Sequence, residues 1–79
     1  MAYTNAYNVL KPVETTVQGI RTIKFIPEEC FLELTDIETI TPYWNPVLGE
    51  WDRTKTTAYF NSGNVLILDT DFDDFGQHL

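Results

Sequence analysis

A mainly β fold, with a small antiparallel sheet of four to five strands and a short C-terminal helix, is what this sequence predicts. Three observations carry it. Residues 54–60 and 65–70 are rich in β-branched and aromatic side chains and flank Asn61-Ser62-Gly63-Asn64, a hairpin signal in which Gly63 takes a positive φ at little cost. Residues 13–17 and 20–26 repeat that composition around Gln18-Gly19. Finally, Thr70 to Gly76 concentrates acids and two phenylalanines in a helix-start pattern. The run Val65-Leu66-Ile67-Leu68 does not alternate, which suits a central strand covered on both faces. A turn centred on Ser62-Gly63 then sets Phe60 opposite Val65, Tyr59 opposite Leu66 and Ala58 opposite Ile67.

Taken in chain order, residues 1–12 read as an N-terminal arm. Asn5 and Asn8 are poor helix formers, Pro12 stops the segment, and Tyr3 or Tyr7 is expected to pack on the sheet. Two strands follow on either side of Gln18-Gly19, with Arg21 and Lys24 at the rim. Pro27-Glu28-Glu29 is expected to form a turn or bulge before Cys30-Phe31-Leu32-Glu33-Leu34 resumes strand composition. Leu34, Ile37 and Ile40 suit a strand kinked at Asp36 and ended by Thr41-Pro42.

Residues 43–53 hold both tryptophans, Pro46 and Gly49, and read as an aromatic loop. A thin core needs its largest side chains, and aromatic residues also anchor partners, so one tryptophan is expected inside and the other at a partner. In residues 70–79, Thr70 with Asp73 forms a capping box, Phe72, Phe75 and Leu79 define an apolar side, and Gly76 ends a short acidic helix.

The 79 residues amount to a single small domain, 1–79, whose core is thin. Hydrophobic residues make up 43% of it, enough to argue against disorder despite the charge. Twelve acids against five bases give a net charge of -7, which repels phosphate backbones and anionic lipid and favours a basic partner surface. A single cysteine excludes an intrachain disulfide and suits a reducing compartment. No apolar run reaches the length of a signal core or a membrane span, so the expected location is the cytoplasm, that of a host cell for a viral protein.

The chemistry-bearing constellations fail one by one. Asp69, Asp71 and Asp73 have the spacing of the first calcium-loop ligands, but Asp74 stands where glycine is needed, and the twelfth position falls beyond Leu79. His78 is alone, and Cys30 lies among Glu28, Glu29 and Glu33, which disfavour a thiolate. No catalytic, cofactor-binding or metal-ligating residue is assigned, and no enzyme is expected.

The succession Ile20-Arg21-Thr22-Ile23, Leu34 to Ile40, Thr57 to Leu68 with its glycine turn, and then an acidic helix resembles the small β-module of FlbD-type flagellar proteins and short phage and bacterial accessory proteins. The resemblance covers about two-thirds of the chain and implies a non-enzymatic, partner-binding role. The aromatic segment and the first strand pair depart from it. LytTR-type DNA-binding domains share a similar strand pattern, but the acidic charge speaks against DNA contact.

The expected function is thus a protein-interaction module: a small acidic accessory or inhibitory protein, phage-encoded on one reading, docking on a larger protein. Its partner-binding residues are Trp44, Trp51, Tyr43, Asp71, Asp73 and Asp74. The alternatives are a nucleic-acid mimic that places Glu28, Glu29, Glu33, Asp69, Asp71, Asp73 and Asp74 in a basic groove, and a structural subunit of a virion or flagellar assembly. Homo-oligomerisation would help so small a core.

Overall fold

In the computed structural model, which describes residues 6–79, the chain is mainly β, with one five-stranded antiparallel sheet and one short helix. The strands are β1 (Ala6–Val17), β2 (Ile20–Phe31), β3 (Ile37–Asn45), β4 (Glu50–Phe60) and β5 (Val65–Leu68). A 3-10 turn (Leu34–Asp36) precedes β3, and α1 (Phe72–Gly76) follows β5. The order across the sheet is β2-β1-β5-β4-β3, so β5 is central, as its unbroken apolar run requires.

The hairpin β4–β5 forms where expected, but its register differs by one residue. Tyr59 faces Val65, Ala58 faces Leu66, and Thr57 faces Ile67. The cause is an odd loop. Gly63 N–H donates to Phe60 O (2.9 Å), Phe60 N–H donates to Asn64 O (2.9 Å), and Gly63 sits at φ 94°, a tight turn followed by a left-handed glycine. Because side chains alternate, this one-residue difference puts Leu66 and Leu68, rather than Val65 and Ile67, on the face of Ala58.

That face is the core. Val9, Leu32, Ala58, Leu68 and Phe75 are buried together, with Tyr7, Cys30, Leu34, Ile37, Ile40, Phe60 and Leu66 packed around them. Phe75, 1% exposed, is the side chain by which α1 closes the face, and Tyr7 meets its ring edge-on at 5.6 Å. Thr56, Thr57 and Ala58 are buried in succession, so the middle of β4 is covered on both sides. Thr56 satisfies its hydroxyl by donating to the carbonyl of Thr70 (3.0 Å).

Several local expectations give way to pairing. Residues 6–12 are not an arm but the first half of β1, paired with β2 from Ala6 opposite Phe31; Tyr3 lies outside the described residues. Pro27 makes no turn. It faces Leu10 within the ladder, where a proline is tolerated because the missing N–H falls on the free edge of β2. Pro42 likewise does not end its strand, since β3 is the other edge and runs on to Asn45. The helix cap is Asp71, not Thr70: its carboxylate accepts from the backbone N–H groups of Asp73 (3.0 Å) and Asp74 (3.1 Å).

The β1–β2 ribbon turns through Gln18 (φ 53°) and Gly19 (φ 80°), the two left-handed positions of a two-residue hairpin. β1 pairs with β5 only at Val9 opposite Leu68. Beyond that point the ribbon is free of the central strand, and the sheet curls until its two edges touch. Phe25 of β2 lies edge-on to Tyr43 of β3 at 5.5 Å, and the Lys55 ammonium of β4 sits 4.9 Å from the centre of the Phe25 ring.

Candidate functional site: an exposed tryptophan pair

Residues 43–53 form a hairpin rather than a loop. Asn45 supplies the turn: its Oδ1 accepts from the N–H groups of Val47 (2.9 Å) and Leu48 (3.1 Å), and its carbonyl accepts from Gly49 N–H (2.8 Å). The strands on either side pair Trp44 with Trp51 and Tyr43 with Asp52. Neighbours in a strand point to opposite faces, so Tyr43 and Trp44 meet opposite fates.

Tyr43 goes inward. It is 7% exposed, packed on Phe25, and burial, the largest influence, pushes its phenol above 10.0; Lys55 acts against this, while Asp52 and Glu14 add to it. It belongs to the interior and is withdrawn from the partner-binding set. Trp44 and Trp51 go outward, both of them, at 46% and 58% exposure, with ring centroids 5.0 Å apart at 68°. The expectation of one buried and one exposed tryptophan is therefore corrected: a cross-strand pair must share a face, so both are exposed together. Leu48, at the turn between them in sequence, is 65% exposed and adds apolar surface that the sequence reading did not single out.

Directly behind the pair, β4 carries a bulge. Pro42 faces Thr56 while Tyr43 faces Asp52, so residues 53–55 have no counterpart in β3. The Asp52 carboxylate holds the bulge closed, accepting from Thr54 N–H (2.9 Å), the Thr54 hydroxyl and Lys55 Nζ (3.0 Å). The Thr54 hydroxyl foremost, with Lys55, keeps Asp52 below its ordinary 3.8 against the opposing effect of burial. A depressed carboxylate adds stability that is present in full above the unfolded pKa and is lost as pH falls through the folded one. Asp52→Asn is accordingly expected to cost about 1 kcal/mol at neutral pH, and the difference from wild type should shrink in urea titrations as acid protonates the carboxylate. A difference that stays constant through acid titration would show that the bulge does not depend on the ionised carboxylate.

The bulge also places Arg53 over α1. Its guanidinium pairs with the Asp73 carboxylate and lies 5.0 Å from the centre of the Phe72 ring, and Asp73 foremost raises its pKa. Only Asp52 separates Arg53 from Trp51, so the aromatic pair and α1 adjoin along β4. Of the three expected aspartates, Asp71 is the helix cap and Asp73 the partner of Arg53, both committed within the fold. Asp74 remains exposed at the start of α1, although its backbone N–H is used by the cap.

Elsewhere, shallow and open grooves lie among the described residues. One runs between Phe31, Leu32, Glu33, Asp36, Phe60 and Leu66, another between Leu34, Thr35, Ile37, His78 and Leu79. Among the described residues no three His, Cys, Asp or Glu side chains gather as metal ligands, and no helix is long and apolar enough to cross a membrane. No known family, curated protein or solved structure matches the chain.

Proposed function

We propose that the chain is a non-catalytic docking module, a small accessory or inhibitory protein of the cytoplasm that binds a larger protein through Trp44 and Trp51. The observation that carries this reading is the exposure of both indoles on one face at the end of a hairpin. A core this thin gains from every buried aromatic ring, yet it leaves its two largest outside. Exposed tryptophans that are held in place by each other offer a large apolar contact at low entropic cost, the property of interface anchors. The acidic surface steers a basic partner toward them without supplying most of the affinity. Nucleic-acid mimicry is the weaker reading, because Asp71 and Asp73 are already engaged within the molecule.

Affinity capture from the producing cells, with the wild type and a Trp44→Ala/Trp51→Ala variant as baits, tests the proposal. A partner held by the wild type at about 1 M salt and lost by the variant is expected, each substitution costing at least ~2 kcal/mol of binding. Thermal unfolding of the variant should stay within about 1.5 kcal/mol of wild type, since only a solvent-exposed ring pair is removed. Capture that vanishes in high salt while surviving both substitutions would overturn the reading in favour of charge mimicry.

A further inference from the structure

The two ends of the molecule differ in charge. Residues 11–26, the outer part of the β1–β2 ribbon, hold Lys11, Arg21 and Lys24 against a single acid, Glu14. The rest of the chain holds the other eleven acids against Arg53 and Lys55. Three of the five cations have partners within the fold: Arg21 with Glu14, Arg53 with Asp73, Lys55 with Asp52. Among the described residues, Lys11 and Lys24 form no ion pair.

The register puts these two lysines on one face. Lys11 stands opposite Ile26, Val13 opposite Lys24, Thr15 opposite Thr22 with their hydroxyls 2.9 Å apart, and Val17 opposite Ile20. Residues facing one another across the ladder, and those two apart along a strand, share a face. Nearer the sheet the same face carries Tyr7, Val9 and Cys30 in the core cluster and, opposite Val9, the exposed Glu28. Past the reach of the core it is bare: Val13, Val17, Ile20 and Ile26 are 40, 66, 65 and 55% exposed. This is a core face that the chain does not cover, and it is framed by unpaired positive charge.

We propose that a second copy of the chain docks on this face, with its acidic body against Lys11 and Lys24 and its apolar side chains on Val13, Val17, Ile20 and Ile26. Charge complementarity selects the occupant. The body of this chain is acidic where the ribbon is basic, so a ribbon set against the body of a second copy brings opposite charges together. Shape agrees. The radius of gyration is 13.5 Å against about 11.6 Å for a compact domain of this length. The accessible surface is 5450 Å² against about 4,900 Å² for a compact monomer of 9.1 kDa. The contact uses the face rather than the strand edge, since Pro27 removes a donor from the free edge of β2.

Sedimentation equilibrium of the full chain tests this, at low ionic strength and at about 1 M salt, where the Debye length is about 3 Å. Reversible association at low salt that weakens in high salt is expected, reduced at least 10-fold in Lys11→Glu/Lys24→Glu and likewise in Val17→Ser/Ile20→Ser, with unchanged far-ultraviolet circular dichroism. Trp44→Ala/Trp51→Ala should associate as the wild type does, which separates this contact from the proposed docking of a larger protein. A wild type that stays monomeric up to about 1 mM at low salt would overturn the proposal. So would lysine variants that associate as tightly as wild type, or binding of a short DNA duplex that needs Lys11 and Lys24 in place of self-association.

Discussion

Phe75→Ala is expected to remove a large fraction of the protein's stability. Phe75 is the side chain through which a five-residue helix closes the core, 1% exposed, packed with Val9, Leu32, Ala58 and Leu68 and met edge-on by Tyr7. Truncating a buried phenylalanine costs about 3–5 kcal/mol, from lost transfer energy and the cavity left behind. A chain of this length has a total stability of roughly 4–12 kcal/mol, and a five-residue helix has no stability of its own once its anchor is gone. Far-ultraviolet circular dichroism with urea titration reads the result. Phe75→Leu, which keeps most of the volume, should retain the fold at a cost near 1.5 kcal/mol. An alanine variant within 1.5 kcal/mol of wild type would mean that α1 is not what seals the sheet.

Tyr43→Ala is expected to cost a similar 3–5 kcal/mol, with the loss concentrated in a different place. Tyr43 is where the two edges of the sheet meet, its ring against Phe25 of β2 beside the Lys55 ammonium. The ribbon pairs with the central strand only at Val9 opposite Leu68, with one adjoining bond from Asp69 N–H to Asn8 O (2.9 Å), so its outer part leans on the contacts of Phe25 with Tyr43 and Lys55. Hydrogen exchange should show faster exchange of the amides of the ribbon around Phe25 and Ile23 than of those in β4 and β5. Tyr43→Phe keeps the packed ring and should stay within about 1 kcal/mol of wild type. This variant also separates structure from binding: a residue facing the interior should not alter partner affinity when only its hydroxyl is removed. A Tyr43→Phe protein that is stable but fails to bind would return Tyr43 to the docking surface.

The two tryptophans show why a segment can be read correctly in composition and wrongly in form. Pro46 and Gly49 do mark a turn, but Asn45 closes it within five residues, and the aromatic residues that flank it are strand rather than loop. A strand's alternation then assigns Tyr43 and Trp44 to opposite faces, and pairing forces Trp51 to follow Trp44. An aromatic run punctuated by Pro and Gly carries no record of which alternate members go in, because that depends on the bulge at residues 53–55 and on what lies across the sheet.

Sequence alone determined the mainly β class, the hairpin on either side of Gly63, the central place of Val65 to Leu68, and a short acidic helix ending at Gly76. These are local matters, set by β-branched runs, positive-φ positions and helix-start chemistry within a few residues of each other. The tertiary structure decided the one-residue register of β4 against β5, the continuation of β1 back to Ala6, the identity of the helix cap, the burial of Tyr43 and the exposure of both tryptophans. Each of those depends on which backbone groups find partners across the sheet, and such pairing joins residues far apart in the chain. Propensity leaves that competition open, and hydrogen bonding with burial resolves it.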